Sequence, residues 1–289
     1  MFQEHYFRAS DGLKLYARTY GFEIGEKRRR LPIVCLPGLT RNSRDFHSLA
    51  TFLASPEGGA HKIIALDYRG RGQSDRDADK GRYTIAVEAE DVVTACMHFN
   101  IERATFIGTS RGGLILHHLA GAAPALIARA VLNDIGPAIE LEGLLKIRDY
   151  LNAATRPQSW PAAPAHLRAV HGAEFPILGE EDWREMAEAI FRDENGVPVP
   201  DCDPAIAAQL QGLTSETVLT PLWPQFEALA RIPTMVVRGD NSRLLSEATV
   251  AEMTRRHAGL VTVTAPGQGH APLLHLDGLK EAVGEFVKA

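Results

Sequence analysis

A tight turn between a predicted strand and a predicted helix constrains this chain more than any other feature. Residues 104–107 form a β-branched and aromatic run that predicts a buried strand, and an apolar helical pattern starts after the turn. The turn is Gly-Thr-Ser-Arg-Gly at 108–112, and Gly-x-Ser-x-Gly between a strand and a helix is a nucleophile elbow. Its glycines are needed because Ser110 takes strained backbone angles and its neighbours have almost no room for side chains. We therefore expect a serine hydroxyl exposed at the carboxyl end of a sheet, beside a helix N-terminus.

Strands and helices alternate on both sides of this elbow. Two alternating runs at 2–8 and 13–20, joined through an Asp-Gly turn, predict a hairpin. Continuously apolar runs, typical of strands buried on both faces of a parallel sheet, follow at 31–36, 62–67, 104–109, 127–132, 232–237 and 260–264. Segments whose apolar residues recur at helical spacing lie between and after these runs, and they predict helices at 45–54, 84–99, 111–122, 246–256 and 277–288. This rhythm predicts an α/β fold with a mostly parallel sheet and helices on both faces.

The rhythm stops after Pro137 and resumes near Pro224. No buried-type strand is predicted between them, and proline-rich joints separate amphipathic helices at 140–154, 161–171, 180–193, 203–212 and 222–230. We therefore expect residues 1–136 and 225–289 to form the α/β core. Residues 137–224 are expected to form a helical cap, or lid, over the carboxyl edge of the sheet.

Charge and cysteine content exclude several classes of protein. The 289 residues carry a formal net charge of −5, which argues against nucleic acid or an anionic membrane as partner. The one basic run, at 27–30, is predicted to be a solvated loop. The three cysteines have neither disulfide-framework nor zinc spacing. The N-terminal residues lack the basic-then-apolar pattern of a signal peptide, and no apolar run approaches the ~20 residues that span a bilayer. We therefore expect a cytoplasmic protein that does not bind a membrane, and we expect it to need neither a metal nor a cofactor.

A serine nucleophile needs a base, and the position of His270 selects it among eleven histidines. His270 follows the last predicted strand in Gly-Gln-Gly-His, where the flanking glycines let the loop bend back toward the serine. The other histidines, His171 among them, fall on helices or loop ends that cannot be aimed at Ser110. His270 is therefore the predicted general base.

The histidine needs a carboxylate that fixes its tautomer, and two candidates end strands between Ser110 and His270. Asp134 closes the strand after the elbow helix, and Asp240 closes the strand after the predicted cap. We favour Asp134, because the residues after Asp240 include no acid that a loop could carry to the histidine. Asp240 stays open as the alternative acid.

Two backbone amides are the predicted oxyanion hole. One belongs to Arg111, which follows the nucleophile and begins its helix. The other belongs to Leu39, in the Pro-Gly-Leu loop after the third strand, where Gly38 lets the backbone approach the substrate. Cap residues such as Leu144, Ile147, Phe175, Trp183 and Trp223 are candidates for the lining of the acyl pocket. For each of them singly, packing in the core between helices is the alternative and the more common role.

Four motifs in this order resemble the α/β-hydrolase family over nearly the whole chain: Leu-Pro-Gly-Leu at 36–39, Asp-Tyr-Arg-Gly-Arg-Gly-Gln-Ser at 67–74, the elbow, and Gly-Gln-Gly-His at 267–270. The segments at 131–137 and 238–242 are similar to small bacterial acyl-esterases of the YbfF-like branch. That resemblance implies that the acid maps onto Asp134. The elbow departs from the family at Thr109 and Arg111, where His and Met or Gln are common, so the family's acyl preference is not carried over.

Together these residues predict a carboxylic ester hydrolase that acts on a small-molecule ester through an acyl-enzyme. Hydrolysis of carbon–carbon bonds and perhydrolysis use the same three side chains and stay open, as does a non-catalytic ligand-binding protein on this fold. The sequence predicts neither the acyl group, nor the alcohol, nor the oligomeric state.

Overall fold

A computed structural model describes residues 1–22, 30–153, 156–276 and 278–288. Residues 27–29 of the basic run that is predicted to be a solvated loop therefore lie outside the described residues. The main sheet of the described chain has eight strands: β1 Gln3–Arg8, β2 Lys14–Tyr20, β3 Ile33–Leu36, β4 Ile63–Asp67, β5 Ala104–Thr109, β6 Ile127–Asn133, β9 Thr234–Gly239 and β10 Val261–Ala265.

The order of the strands confirms the predicted α/β sheet. They lie side by side as β1-β2-β4-β3-β5-β6-β9-β10. The pairs β1–β2 and β2–β4 are antiparallel, and every other neighbouring pair is parallel. The predicted N-terminal hairpin is β1–β2, and Gly12 in its turn has a φ of +88°. Because β3, β5, β6, β9 and β10 run in the same direction, the loops after them meet at one edge of the sheet.

The α-helices of the described chain are α1 His47–Ala54, α2 Ile85–His98, α3 Arg111–Ala122, α4 Leu141–Asn152, α5 Ala163–His171, α6 Glu180–Ile190, α7 Pro204–Ala208, α8 Trp223–Glu227, α9 Glu247–Arg256 and α10 Leu279–Lys288. Helices α1 and α10 cover one face of the sheet, and α2, α3 and α9 cover the other. Alternate residues of β3 show the two layers. Val34 and Leu36 pack in the apolar core with α2, α3 and α9, whereas Ile33 and Cys35 pack with α1 and α10. All four side chains are buried, as the continuously apolar run predicts.

The segment between β6 and β9 differs from the purely helical prediction. Helix α6 ends at Ile190, and a two-stranded hairpin follows, with β7 at Phe191–Glu194 and β8 at Val197–Pro200. Asn195 and Gly196 connect the strands, both at positive φ (56° and 82°), which is the turn that Asn-Gly favours in hairpins. The hairpin escaped prediction because β7 is mostly charged and β8 carries two prolines, so neither strand has the continuous apolar run of a buried strand.

Two of the other inserted helices are much shorter than predicted, and each has a proline in its first turn. Helices α7 and α8 have five residues each and replace the predicted 203–212 and 222–230. None of the helices in the described residues combines the length and hydropathy that crossing a membrane requires.

Candidate active site

Ser110 lies between β5 and α3 in the strained conformation that the elbow predicts. Its φ and ψ are 50° and −111°, and its amide donates to the Asn133 carbonyl across 3.0 Å. The flanking glycines are required by close backbone contacts. A Cβ on Gly108 would lie 2.6 Å from the Gly112 carbonyl carbon, and one on Gly112 would lie 2.1 Å from the Leu36 carbonyl oxygen. This crowding holds the serine outward at the carboxyl edge of the sheet.

His270 reaches the serine from the loop that follows β10. Its Nε2 lies 2.8 Å from Ser110 Oγ, and its Nδ1 lies 2.8 Å from Asp134 Oδ2. The imidazole is 14% exposed and the Asp134 side chain is fully buried. The structure thus brings His270 together with Asp134 and Ser110, which are 136 and 160 residues away from it along the chain. The arrangement allows a proton to pass from the serine hydroxyl to Nε2 while the carboxylate faces Nδ1.

Asp134 directly follows β6 and is held by three hydrogen bonds. Its Oδ1 accepts from the Gly239 amide at 2.9 Å, and its Oδ2 accepts from Ser242 Oγ at 2.6 Å in addition to facing His270. Burial of a carboxylate costs free energy unless hydrogen-bond donors such as these satisfy its oxygens. The alternative acid, Asp240, is exposed, and its Oδ1 accepts from the Gln268 amide at 3.3 Å. Asp240 therefore braces the loop that carries the histidine.

The predicted oxyanion donors lie beside the serine. Arg111 is the first residue of α3, so no carbonyl within the helix can accept its amide hydrogen. Gly38 and Leu39 line the same cavity as Ser110, and a Cβ on Gly38 would lie 4.0 Å from Ser110 Cβ. A turn closed from the Arg41 amide to the Gly38 carbonyl, at 3.2 Å, holds the Leu39 peptide between them. The lack of a side chain on Gly38 leaves the approach to the hydroxyl open.

A cavity of about 370 Å³ opens above Ser110 and His270. Three of the predicted cap residues line it: Leu144, Ile147 and Phe175. Most of its other wall residues are also apolar, among them Phe46, Leu49, Leu114, Ile139, Met186 and Leu244. The cavity therefore fits an apolar group beside the reactive hydroxyl.

The prediction that Trp183 and Trp223 line the pocket is wrong. Trp183 is 1% exposed and lies in the apolar core that α5 and α6 form with each other. Trp223 packs edge-on against Phe226, with ring centroids 6.1 Å apart, and Arg256 lies over its ring at 4.3 Å. Aromatic side chains on amphipathic helices fill whichever apolar space their helix faces, and both tryptophans face helix-packing cores.

Sequence reasoning missed the polar groups in the cavity wall. Arg41 forms a two-bond ion pair with Asp45, at 2.8 and 2.5 Å, and Tyr150 packs edge-on against His171 with ring centroids 4.6 Å apart. Burial lowers the pKa of His171 to about 4, so its imidazole is neutral at pH 7. The spacing of Arg41 and Asp45 offered a signal, since side chains four residues apart on a helical turn can pair. His171 gave no signal, because nothing in the local sequence of α5 shows which surface its imidazole will meet.

Comparison with known proteins agrees with the fold. Residues 32–274 match the family model of the alpha/beta hydrolase fold, and the chain belongs to this family of hydrolases. A crystal structure of an alpha/beta hydrolase from Novosphingobium aromaticivorans superposes with a TM-score of 0.89 at 37% identity, covering 99% of this chain and 98% of that one.

Two characterised relatives are similar over different shares of the chain. The 3-hydroxybutyrate-oligomer hydrolase of Cupriavidus necator is 34% identical over 257 residues, or 86% of each protein. Esterase YbfF of Escherichia coli is 28% identical over 162 residues, covering 53% of this chain and 61% of that protein. The predicted resemblance to YbfF-like esterases is therefore confirmed, although the likeness to the oligomer hydrolase is more extensive.

Proposed function

We propose that the protein is a carboxylic ester hydrolase that works through an acyl-enzyme on Ser110. The observation that carries the proposal is the continuous chain from Ser110 Oγ to His270 Nε2 and from His270 Nδ1 to Asp134, with 2.8 Å at each step. A serine hydroxyl is a weak nucleophile until a base takes its proton, and this arrangement supplies the base and its orienting carboxylate.

The proposed reaction has two halves. Ser110 Oγ attacks the acyl carbonyl carbon while His270 Nε2 takes the hydroxyl proton, and the amides of Leu39 and Arg111 donate to the oxyanion. The tetrahedral intermediate then breaks its bond to the alcohol oxygen, which receives the proton from His270. Water attacks the acyl-enzyme in the second half and gives its proton to His270. Release of the acid returns that proton to Ser110 Oγ.

The substrate class that we propose is an ester whose acyl part carries a further oxygen. The apolar cavity wall fits a short acyl chain, and the Arg41–Asp45 pair with the Tyr150 hydroxyl adds hydrogen-bonding groups without net charge. The similarity to an enzyme named for 3-hydroxybutyrate oligomers supports this choice, since such oligomers are esters of a hydroxy acid. We also propose that residues 137–224 act as the cap that supplies α4 and α5 to this wall.

The test is hydrolysis of p-nitrophenyl esters of increasing chain length and of short 3-hydroxybutyrate oligomers. Wild-type protein is expected to release nitrophenol, and Ser110→Ala is expected to lose turnover by several orders of magnitude. Ser215→Ala, which changes an exposed serine, is the matched control and should retain full activity. A fluorophosphonate probe should label the wild-type protein but not Ser110→Ala. Turnover that persists in Ser110→Ala would refute the proposal, as would a wild-type protein that neither hydrolyses esters nor reacts with the probe.

A further inference from the structure

Three charged side chains link the two segments that carry the proposed oxyanion amides. One oxygen of Glu88 accepts from Arg71 Nη1 at 2.7 Å, and its other oxygen accepts from Arg111 Nε at 2.5 Å. Glu88 lies on α2, Arg71 lies in the loop after β4, and Arg111 begins α3. We call these three residues the Arg–Glu–Arg cluster. It joins elements that are separate along the chain.

Both halves of the proposed oxyanion hole are attached to this cluster. Arg71 Nε donates to the Leu39 carbonyl at 2.9 Å, so the cluster holds the loop that carries one amide. Arg111 provides the other amide from its own backbone, and its Nη2 also donates to the Tyr83 carbonyl at 2.9 Å. A continuous path of charge-assisted hydrogen bonds therefore runs from the Leu39 peptide through Glu88 to Arg111.

The cluster is buried and carries an excess of positive charge. Arg71 and Glu88 are fully buried, and Arg111 is 11% exposed. Two guanidiniums and one carboxylate sum to one positive charge, and Nη2 of Arg71 has no hydrogen-bond partner in the described chain. Burying such a group does little for stability compared with apolar side chains of similar volume. Its attachment to both amide-bearing segments gives it a different role, since fixed positive charge near the two amides stabilises an oxyanion that they bind.

We propose that Arg71 and Glu88 are positioning residues that fix the distance between the Leu39 and Arg111 amides and add a favourable field at the oxyanion. The inference rests on the proposed function, because it concerns the intermediate of that reaction. The guanidinium of Arg71 reaches Glu88 and the Leu39 carbonyl at once through its planar fork. A lysine ammonium at the same position cannot reproduce that geometry.

The experiment compares two conservative variants of neighbouring buried arginines. Arg71→Lys keeps the positive charge but breaks the hydrogen-bonded link between the Leu39 carbonyl and Glu88. We expect kcat to fall about 10- to 100-fold, which is at most the loss that follows removal of a whole oxyanion donor. KM should change less than 3-fold, because the ground-state substrate does not depend on the oxyanion contacts. The affinity for a boronic acid inhibitor, which forms a tetrahedral adduct on Ser110, should fall in parallel with kcat.

Arg69→Lys is the matched control. Arg69 is equally buried, but its side chain pairs with Asp91, Asp77 and Asp11 and does not contact Leu39, Glu88 or Arg111. This variant should lose stability while its folded fraction keeps wild-type kcat and inhibitor affinity. Equal kcat losses in both variants would show that Arg71 has a structural role only, and would overturn the inference.

Arg111→Lys provides a second variant, which keeps the backbone amide and the positive charge and breaks only the side-chain link. It is expected to lower kcat about 10-fold, and combining it with Arg71→Lys should add little, because both changes break one path. Full additivity of the two losses, or wild-type kcat in either variant, would refute the inference. These outcomes are distinct from failure of the proposed function, in which the wild-type protein itself would not turn over esters.

Discussion

A single methyl group at Gly112 should separate the two halves of the proposed oxyanion hole. A Cβ on this residue would lie 2.1 Å from the Leu36 carbonyl oxygen and 2.7 Å from its carbon. Ordinary contact between such atoms needs about 3.4 Å, so α3 and the end of β3 must move apart by roughly 1 Å. Leu36 leads into the Gly38–Leu39 loop, and Gly112 follows Arg111. The displacement therefore falls on the gap between the two amide donors.

The size of the effect follows from this displacement. A misplacement of about 1 Å costs catalysis on the order of 100-fold, so Gly112→Ala should lower kcat by about that factor while KM changes little. Overpacking at the same contact should lower the free energy of unfolding by about 1 to 3 kcal/mol. The measurements are steady-state hydrolysis of a p-nitrophenyl ester and urea unfolding of the same samples.

Gly121→Ala in the same helix separates this effect from that of adding a methyl group to α3. A Cβ on Gly121 would meet nothing within 4 Å. The change should leave kcat unaltered and raise the free energy of unfolding by about 0.5 to 1 kcal/mol, since alanine loses less conformational freedom than glycine in a helix. A folded Gly112→Ala protein with kcat within 3-fold of wild type would refute the reasoning.

Two further predictions concern the acid and a buried histidine. Asp134→Asn should lower kcat by about 10⁴-fold, whereas Asp240→Asn should cost less than 10-fold, and the reverse ranking in ester hydrolysis would move the acid to Asp240. Burial lowers the pKa of His117 to about 4, below the 6.5 of an unfolded chain. Because the folded protein binds this proton less readily than the unfolded chain, the histidine contributes on the order of 3 kcal/mol to the free energy of unfolding above pH 6.5, relative to low pH. This contribution is lost as the pH falls from 6.5 toward 4. The unfolding free energy of His117→Gln should accordingly fall less than that of wild type between pH 7 and pH 4, and equal falls in urea unfolding would contradict the pKa.

The outline of the site followed from residues that are close to one another in the sequence. The glycines around Ser110, the acid directly after β6 and the glycine-flanked histidine after β10 are each local patterns. Parallel strands bring their carboxyl ends to one edge, so these patterns were enough to predict that the three side chains meet, as they do in the structure. Their catalytic roles stay predictions until the variants are measured.

The cavity wall could not be predicted in the same way. Leu144 lines the cavity whereas Trp223 does not, although both lie on helices of the predicted cap. An amphipathic pattern shows which face of a helix is apolar, but it carries no information about which apolar surface that face will meet. The choice depends on contacts with helices far away in the sequence.

The sequence by itself indicated a mostly parallel sheet, the elbow with Ser110, the histidine at 270, and an acid at either Asp134 or Asp240. It could do so because backbone constraints and strand periodicity are expressed in adjacent residues. Only the tertiary structure decided that Arg71, Glu88 and Arg111 meet behind the elbow, and that Arg41, Tyr150 and His171 share the cavity wall. The residues of each set belong to separate secondary-structure elements, and they come into contact only when those elements pack against one another. The physical reason is that hydrogen bonds and ion pairs act over a few ångströms of space, whatever the separation along the chain.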